Sequence, residues 1–403
     1  MLVRLLAVFS LALFAFGAEQ DALTISANIR ARHMPFATIL DPIFEAPDSD
    51  VITGYTRCGD SAIWTGHYIA AEAYRYKVTG DPDALDNLRA ALWGLRLLVE
   101  VPGSGVLARC VVPVDSPYAP GIVAEEKGNG VYIGNYNNTQ YYWVGNTSRD
   151  QYSGVFFGMA VAWDLVDEIH VRGDVGYLMD RLLSTLDKNG WTVVMPDGSS
   201  STSFSIRPDQ QLTLLQIGRH INPNWFASKY SNSATFKFFL VPVPIGVEVL
   251  DVDSSYFKFN LDTINLFSLI RWENNDLRRT TYKKAYDTLR NTTDDHQNAH
   301  FNMIDRALNG PNARRDAETV QLLRDWLLRP RRDVHVDLRG VVDACGDNRA
   351  CQPVPVAERV TTDFLWQRSP FQMYGSGDGF IEGAGIDYLL PYWMGRYYGV
   401  VQD

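Results

Sequence analysis

Several features are scarce or missing in this 403-residue chain, and each absence removes a class of function. Cysteine occurs four times, at Cys58, Cys110, Cys345 and Cys351, and never as C-x-x-C, which disfavours a zinc site or a thiol catalyst. Basic residues are outnumbered, with 37 Lys and Arg against 47 Asp and Glu. The formal net charge of −10 disfavours nucleic acid and anionic membrane partners. Beyond residue 18 no apolar run reaches the roughly 20 residues of a membrane span, so no stable membrane insertion is expected. No G-x-S-x-G elbow, P-loop or dinucleotide G-x-G-x-x-G lies between a strand and a helix. The loose pattern GSGDGF comes late and lacks a βαβ context, and the calcium-loop spacing D-x-[DN]-x-[DN]-G does not occur. No cofactor and no resident metal are therefore expected.

What is present begins with MLVRLLAVFSLALFAFGA, residues 1–18. One Arg, an apolar centre and a small-residue end form the pattern of a secretory signal peptide, so a secreted or periplasmic destination is expected. Residues 19–403 suffice for one large core or two domains. In an oxidising compartment four cysteines point to disulfides. The Cys345–Cys351 spacing suits a small loop staple, which would leave Cys58 with Cys110, but all three connectivities remain open. Sequons at Asn137, Asn146 and Asn291 matter only in a host that glycosylates exported proteins.

The main periodic signal is an alternation of two helix types. Asp60 to Val78 is apolar or aromatic nearly all round, as expected of a helix surrounded by protein. Asp81 to Val99 places Leu85, Leu88, Leu92, Leu95 and Val99 on one stripe, with charges elsewhere. The link VTGDPDAL offers Gly80 to end one helix, Asp81 to cap the next and Pro82 for its first turn. The scheme repeats with an all-round apolar helix over 150–171, a Gly173-Asp174 link and a partner carrying Leu178, Met179, Leu182, Leu183 and Leu186. KVTGDPDAL and HVRGDVGYL thus read as a weak internal repeat. Fainter pairs join 209–220 with 224–240, 254–272 with 275–290 and 295–308 with 313–329, before a last helix over 386–398.

Eleven or twelve helices, few strands and loops too long for a simple bundle give an all-α dominated fold. An inner ring of apolar helices within an outer ring of amphipathic ones is an (α/α)6 toroid, here a single domain over 19–403. Two loop excursions interrupt it. Residues 101–149 are rich in Gly, Asn and aromatics, and 331–383 carry a cysteine pair, prolines and GSGDGFIEGAG. They are expected to cover the end of the ring where a cleft lies, although the second could be a purely structural excursion.

This alternation, together with Trp64-Thr65-Gly66-His67-Tyr68 and VTGDP, resembles the six-hairpin glycosidase superfamily over most of residues 55–400. The resemblance implies a toroid acting on carbohydrate. The superfamily contains unsaturated-uronide hydrolases, and related toroids include sugar epimerases and polysaccharide lyases. No catalytic set of that superfamily aligns one for one onto this chain.

In such a ring the inner helices start at one mouth. Asp60 opens one before Trp64 and Gly66, and Asp150 opens another before Tyr152 and Gly154. Asp209 opens a third, followed by Gln210 and Gln211 and preceded by Arg207. Carboxylates transfer protons, Arg and amides bind hydroxyls or a carboxylate, and aromatic faces stack on sugar rings. Asp150 is therefore the leading general acid/base, with Asp60, Asp209 or Glu382 as the second carboxylate and His67 as a further proton-transfer group. The spacing of the two carboxyls would decide between retention and inversion. Trp64, Tyr152 and Trp143 are the stacking candidates, and Arg149, Arg207, His300 and Asp387 the other binding candidates.

Each has a plainer reading. Asp is a preferred N-cap favoured by the helix dipole, His67 can be a satisfied core histidine, and Asp387 can cap the last helix. What tips Asp150 towards a site is its company of Arg149, Gln151 and Tyr152, since a cap needs only one polar group. His296 and His300 have a metal-compatible i, i+4 spacing, but the Glu of an HExxH motif is missing. The leading expectation is an exported carbohydrate-active enzyme, a glycoside hydrolase using paired carboxylates. Its rivals are a polysaccharide lyase with Tyr152 or His67 as base, and a non-catalytic exported glycan-binding or structural protein.

Overall fold

The computed structural model describes residues 19–360 and 366–402; the expected signal peptide lies outside them. The chain is mostly helical, with small sheets between the helices. Helix α1 (residues 19–28) runs into a π-helical turn, Ile29–His33, ahead of strands β1 (Asp41–Phe44) and β2 (Ile52–Thr56). Helices α2 (Ser61–Thr79) and α3 (Pro82–Glu100) follow, then β3 (Cys110–Pro113), α4 (Ala119–Glu125), β4 (Val131–Tyr136) and β5 (Thr139–Val144). Next come α5 (Arg149–Leu165), α6 (Ile169–Lys188), β6 (Thr192–Val194), β7 (Ser200–Ser203), α7 (Pro208–Ile221) and α8 (Pro223–Lys237). The short α9 (Pro242–Glu248) leads to α10 (Phe257–Arg271), α11 (Asp276–Thr293), α12 (Ala299–Asn309) and α13 (Ala313–Leu327). The chain closes with β8 (Arg332–Asp337), β9 (Ala344–Gly346), β10 (Arg349–Ala350), β11 (Tyr374–Glu382) and α14 (Ile386–Tyr397).

Six helices are buried nearly all round: α2, α5, α7, α10, α12 and α14. Among them α2 packs on α5 and α14, α5 on α7, α7 on α10, α10 on α12, and α12 on α14. Five amphipathic helices back them: α3 lies on α2, α6 on α5, α8 on α7, α11 on α10 and α13 on α12. The all-round apolar sequences thus form the most buried helices, and the one-stripe sequences bury their leucines and leave most charges at the surface.

The closest approach is between α2 and α5. A Cβ on Gly66 would fall 2.1 Å from the Gly154 carbonyl oxygen, and one on Gly158 would fall 2.1 Å from the Gly66 carbonyl oxygen. Only hydrogen fits there. The glycines within the apolar α5 therefore serve backbone-to-backbone helix packing.

The link between α2 and α3 forms as its sequence indicates. Gly80 takes φ 68°, Asp81 accepts a hydrogen bond from the Asp83 amide, and Pro82 begins the helix. The second link differs from expectation. The apolar helix ends at Leu165 rather than 171, and Glu168 caps α6 by accepting from the Val171 amide at 2.9 Å. Gly173 lies inside α6, where a Cβ would meet nothing. The resemblance of HVRGDVGYL to KVTGDPDAL is therefore not a structural repeat; an upstream acidic cap fixes the boundary and an exposed glycine is tolerated.

Among the described residues strands are more numerous than the sequence suggests, in four small antiparallel sheets. The largest has the order β2-β1-β11-β8, with Asp41 opposite Thr56, Ile43 opposite Ile381 and Tyr374 opposite Asp337. Sheet β3-β5-β4 occupies much of the 101–149 excursion, and the pairs β6-β7 and β9-β10 are separate hairpins. Disulfides join Cys58 to Cys110 and Cys345 to Cys351. The first ties the approach to α2 onto β3; the second closes the β9–β10 hairpin. No described helix is long and apolar enough to cross a membrane.

Candidate functional site

The N-terminal ends of five inner helices meet at one end of the molecule. Gln151 of α5 accepts from the Ile63 amide of α2 at 2.9 Å and donates to Asp60 Oδ1 at 3.1 Å. Arg207, just before α7, reaches Asp262 of α10 at 3.2 Å. His67 of α2 meets Asn260 of α10 at 3.1 Å, and its ring centroid lies 6.2 Å from that of His300 on α12. At the opposite end Asp164 of α5 holds His220 of α7 at 2.6 Å and also binds Arg271 of α10, so these helix C-termini converge too.

The most concentrated chemistry at the first end is a carboxylate–arginine cluster. Arg207 grips Asp209 through Nε and Nη2 at 3.1 and 2.8 Å, Glu248 through Nη1 at 2.6 Å, and Asp262 through Nη2 at 3.2 Å. Asp209 Oδ2 and Asp262 Oδ1 share that Nη2, so they lie no more than about 6 Å apart. Asp262 Oδ2 and Glu248 Oε2 are buried without a hydrogen-bond partner, and Glu248 is among the groups acting on the Asp262 carboxyl. Burial first, then Glu248 and Asp209, push the Asp262 carboxyl well above the usual range, with Arg207 opposing. Arg207 and Glu248 are the partly exposed members, while Asp209 and Asp262 are buried. Arg149 stands behind, bound to Thr202 Oγ1 and the Ser203 carbonyl at 3.1 Å each; burial and Arg207 lower its pKa.

Beside this cluster lies a histidine–aromatic centre. His67 Nδ1 donates to the Ile63 carbonyl at 2.8 Å, which leaves Nε2 bare to accept from Asn260. Burial lowers its pKa to about 4, so the ring is neutral at physiological pH. His300 is fully buried, and neither ring nitrogen has a hydrogen-bond partner. Burial and then His67 hold its pKa well below the ordinary value. The Trp366 ring lies against it, tilted by 34° with centroids 4.4 Å apart, and His67 and Trp64 lie 5.1 and 6.2 Å from the same indole.

Asp60 makes no cap hydrogen bond to its own helix; its carboxylate accepts from Gln151 and, at 3.2 Å, from Gln367. Thus Asp60, Trp64, His67, Asp209, Arg207 and His300 gather at this end. Asp150 behaves differently. Its Oδ1 accepts from Ser148 and from the Gln151 amide at 3.0 Å, a local arrangement at the start of α5. Tyr152 points the other way, into the core, and its hydroxyl accepts from the Leu107 amide at 3.2 Å. The four residues opening α5 therefore fasten that helix to β7, to its own cap, to α2 and to the 107 loop respectively. Trp143 is buried in β5 and stacks on Tyr132 at 4.6 Å.

Glu382 belongs to another network, accepting from Asn28 at 2.6 Å and lying 3.3 Å from His33 Nε2 and 3.5 Å from Arg332. Burial opposes its charge, but His33, Asn28 and Arg331 outweigh that and hold its pKa down at about 2. Asp387 pairs with Arg329 at 3.4 Å. His296 precedes α12 and bonds Tyr256 at 2.9 Å, so it does not share a helix face with His300. Among the described residues no group of His, Cys, Asp and Glu could hold a metal ion.

Sequence reasoning passed over Asn260, Asp262, Glu248 and Trp366. Asn260, Asp262 and Asn265 are polar positions inside the otherwise apolar FNLDTINLF, and buried polar residues in such a helix signal a network. Glu248 is the first charge after a ten-residue uncharged run. Nothing local marks Trp366. Comparison with known families, curated proteins and solved structures finds no match for this chain.

Proposed function

We propose that the chain is an exported carbohydrate-active enzyme on an (α/α)6 toroid, hydrolysing glycosidic bonds with carboxylates at the N-terminal mouth of its inner helices. The circuit of six buried helices, five of them backed by amphipathic partners, supports the toroid, with α1 as the sixth outer element: Ser26 of α1 hydrogen-bonds Glu72 of α2, and Ile25 lies against Gly385 at the start of α14. The observation that carries the chemistry is the buried Asp262 carboxyl, which burial and its acidic neighbours push towards the protonated form beside the Arg207-held Asp209. A carboxyl that favours its proton, set beside an arginine-bound carboxyl, offers an acid and a base in one place.

In this reading the Asp262–Glu248 pair delivers a proton to the leaving oxygen through the partly exposed Glu248. Asp209 acts as base towards water or as nucleophile, with Arg207 offsetting the developing charge. Asp60, Trp64, His67 and His300 line the adjoining centre, where His300 would take a hydrogen bond from a hydroxyl. Asp150 orients α5 rather than transferring the proton. The lyase alternative finds its two expected bases engaged, since His67 uses both nitrogens and Tyr152 faces the core. A binding-only reading draws support from Trp366, which fills the aromatic centre at 1% exposure.

Mass spectrometry after incubation with a broad glycan panel separates these readings. Hydrolysis gives fragments carrying one added water. Unsaturated ends would establish a lyase, and retention of an unaltered glycan would establish binding alone.

A further inference from the structure

The segment between α8 and α10 presents apolar side chains to solvent. Phe236, Phe239, Leu240, Val243, Val247 and Leu250 are between 40% and 84% exposed. Apart from the adjacent Phe239 and Leu240, they recur every three or four residues along the end of α8, a 3-10 turn, α9 and the turn after it. The other side is anchored, since Val241 and Ile245 are buried in the core. The outward face is therefore held in place rather than left loose. Glu248, on the same short helix, turns the opposite way to Arg207, so the face borders the carboxylate cluster.

The composition of this face indicates what covers it. Residues 238–247, FFLVPVPIGV, contain no ionisable side chain and no side-chain hydrogen-bond donor or acceptor, and Pro242 and Pro244 remove two backbone donors as well. The six exposed side chains offer roughly 650 Å² of apolar surface, at the top of what monomers expose and below the roughly 800 Å² per partner of a stable protein interface. A protein partner over that area would form several hydrogen bonds with side chains; residues 238–247 offer none, and the flanking Lys237 and Glu248 are engaged with Gln211 and Arg207. Hydrocarbon requires none.

We propose that this face is a peripheral docking surface for a neutral lipid layer, into which Phe236, Phe239, Val243, Val247 and Leu250 insert to the depth of the headgroup–acyl boundary. The chain's net charge of −10 gives anionic headgroups no electrostatic advantage, so binding rests on the apolar face alone. It does not depend on the carbohydrate reading.

The test is co-sedimentation of the full exported protein with phosphatidylcholine vesicles, alone and with added phosphatidylglycerol. Binding is expected to be no stronger with the anionic lipid. It should fall about tenfold or more in Phe236→Asp/Leu250→Asp, two substitutions at solvent-facing positions. A second measurement does not require that variant to fold: Phe236→Trp should show a blue-shifted emission on adding vesicles. Absence of vesicle binding by the unaltered protein would overturn the proposal. So would a concentration-dependent dimer abolished by the paired Asp substitutions, which would assign the face to a second copy. An emission from Phe236→Trp that vesicles leave unchanged would overturn it as well.

Discussion

Glu72 is a carboxyl in the middle of the packing between α1, α2 and α3, and its titration offers a quantitative check on the fold. It accepts from Ser26 Oγ of α1 and from Arg75 Nη1 at 3.2 Å, and Arg75 is shared with Asp81 and Asp83 at 2.6 and 2.8 Å. Burial outweighs these contacts and raises its pKa from 4.5 to about 7. A carboxyl whose folded pKa lies above its unfolded value stabilises the fold fully below the unfolded value. That contribution is lost as pH rises through the folded one. The shift corresponds to about 3 kcal/mol, lost between roughly pH 4.5 and 7. A chain of this length has an unfolding entropy of roughly 0.8 kcal/mol per kelvin, so the loss amounts to about 4 °C in Tm. Urea unfolding of the wild type and of Glu72→Gln at pH 5 and pH 8 isolates it, because every other titrating group is common to both proteins. The wild type should lose about 3 kcal/mol more than the variant across that interval. Parallel profiles would refute the reasoning, by showing that Glu72 stays ionised and that Arg75 offsets its burial.

Glu382 should behave with the opposite sign. Its pKa, held at about 2 by His33, Asn28 and Arg331 against its burial, adds stability above pH 4.5 that is lost as pH falls towards 2. Glu382→Gln should flatten the acid limb of the stability profile by about 3 kcal/mol, measured by urea midpoints between pH 5 and 2.5. Gly66→Ala forces α2 and α5 apart and should cost at least about 1–3 kcal/mol in urea unfolding; an unchanged midpoint would contradict the 2.1 Å approach. The two disulfides should differ by loop length. Removing Cys58–Cys110, 52 residues apart, should cost about 4 kcal/mol, and removing Cys345–Cys351, six apart, about 2 kcal/mol, by thermal denaturation of the paired Ser variants.

The helical part of the fold was legible because it rests on local patterns. The uniform apolarity of IWTGHYIAAEAY marks an inner helix, and the leucine stripe of 85–99 an outer one. Gly80, Asp81 and Pro82 mark the joint because each acts within two residues of itself. The end of α5 was misplaced because residues 166–171 keep an apolar periodicity while Glu168, as a cap, decides the boundary. The strands were largely invisible. β1 and β11 pair across more than 330 residues, and no local alternation encodes such a partnership.

The site was half legible for the same reason. Asp209 and Arg207 stand out at a helix start, where composition is informative. Asp262 and Glu248 join them from α10 and α9, and only the packing of α7 against α10 brings the four together. Asp150 drew attention through its polar neighbours, yet each neighbour is committed to a different structural contact. A cluster of polar residues in sequence is thus no guarantee of a cluster in space.

The most direct measurement of the central claim is turnover in the Asp262→Asn and Asp150→Asn proteins on a glycan that the wild type cleaves, with thermal unfolding of both as a control. Asp262→Asn should abolish the water-added products while keeping a cooperative transition, and Asp150→Asn should retain turnover within about tenfold, since it removes only part of a cap. Full turnover in a folded Asp262→Asn protein, or its loss in a folded Asp150→Asn protein, would contradict the assignment of the proton donor to Asp262 and Glu248 with Asp209 as base.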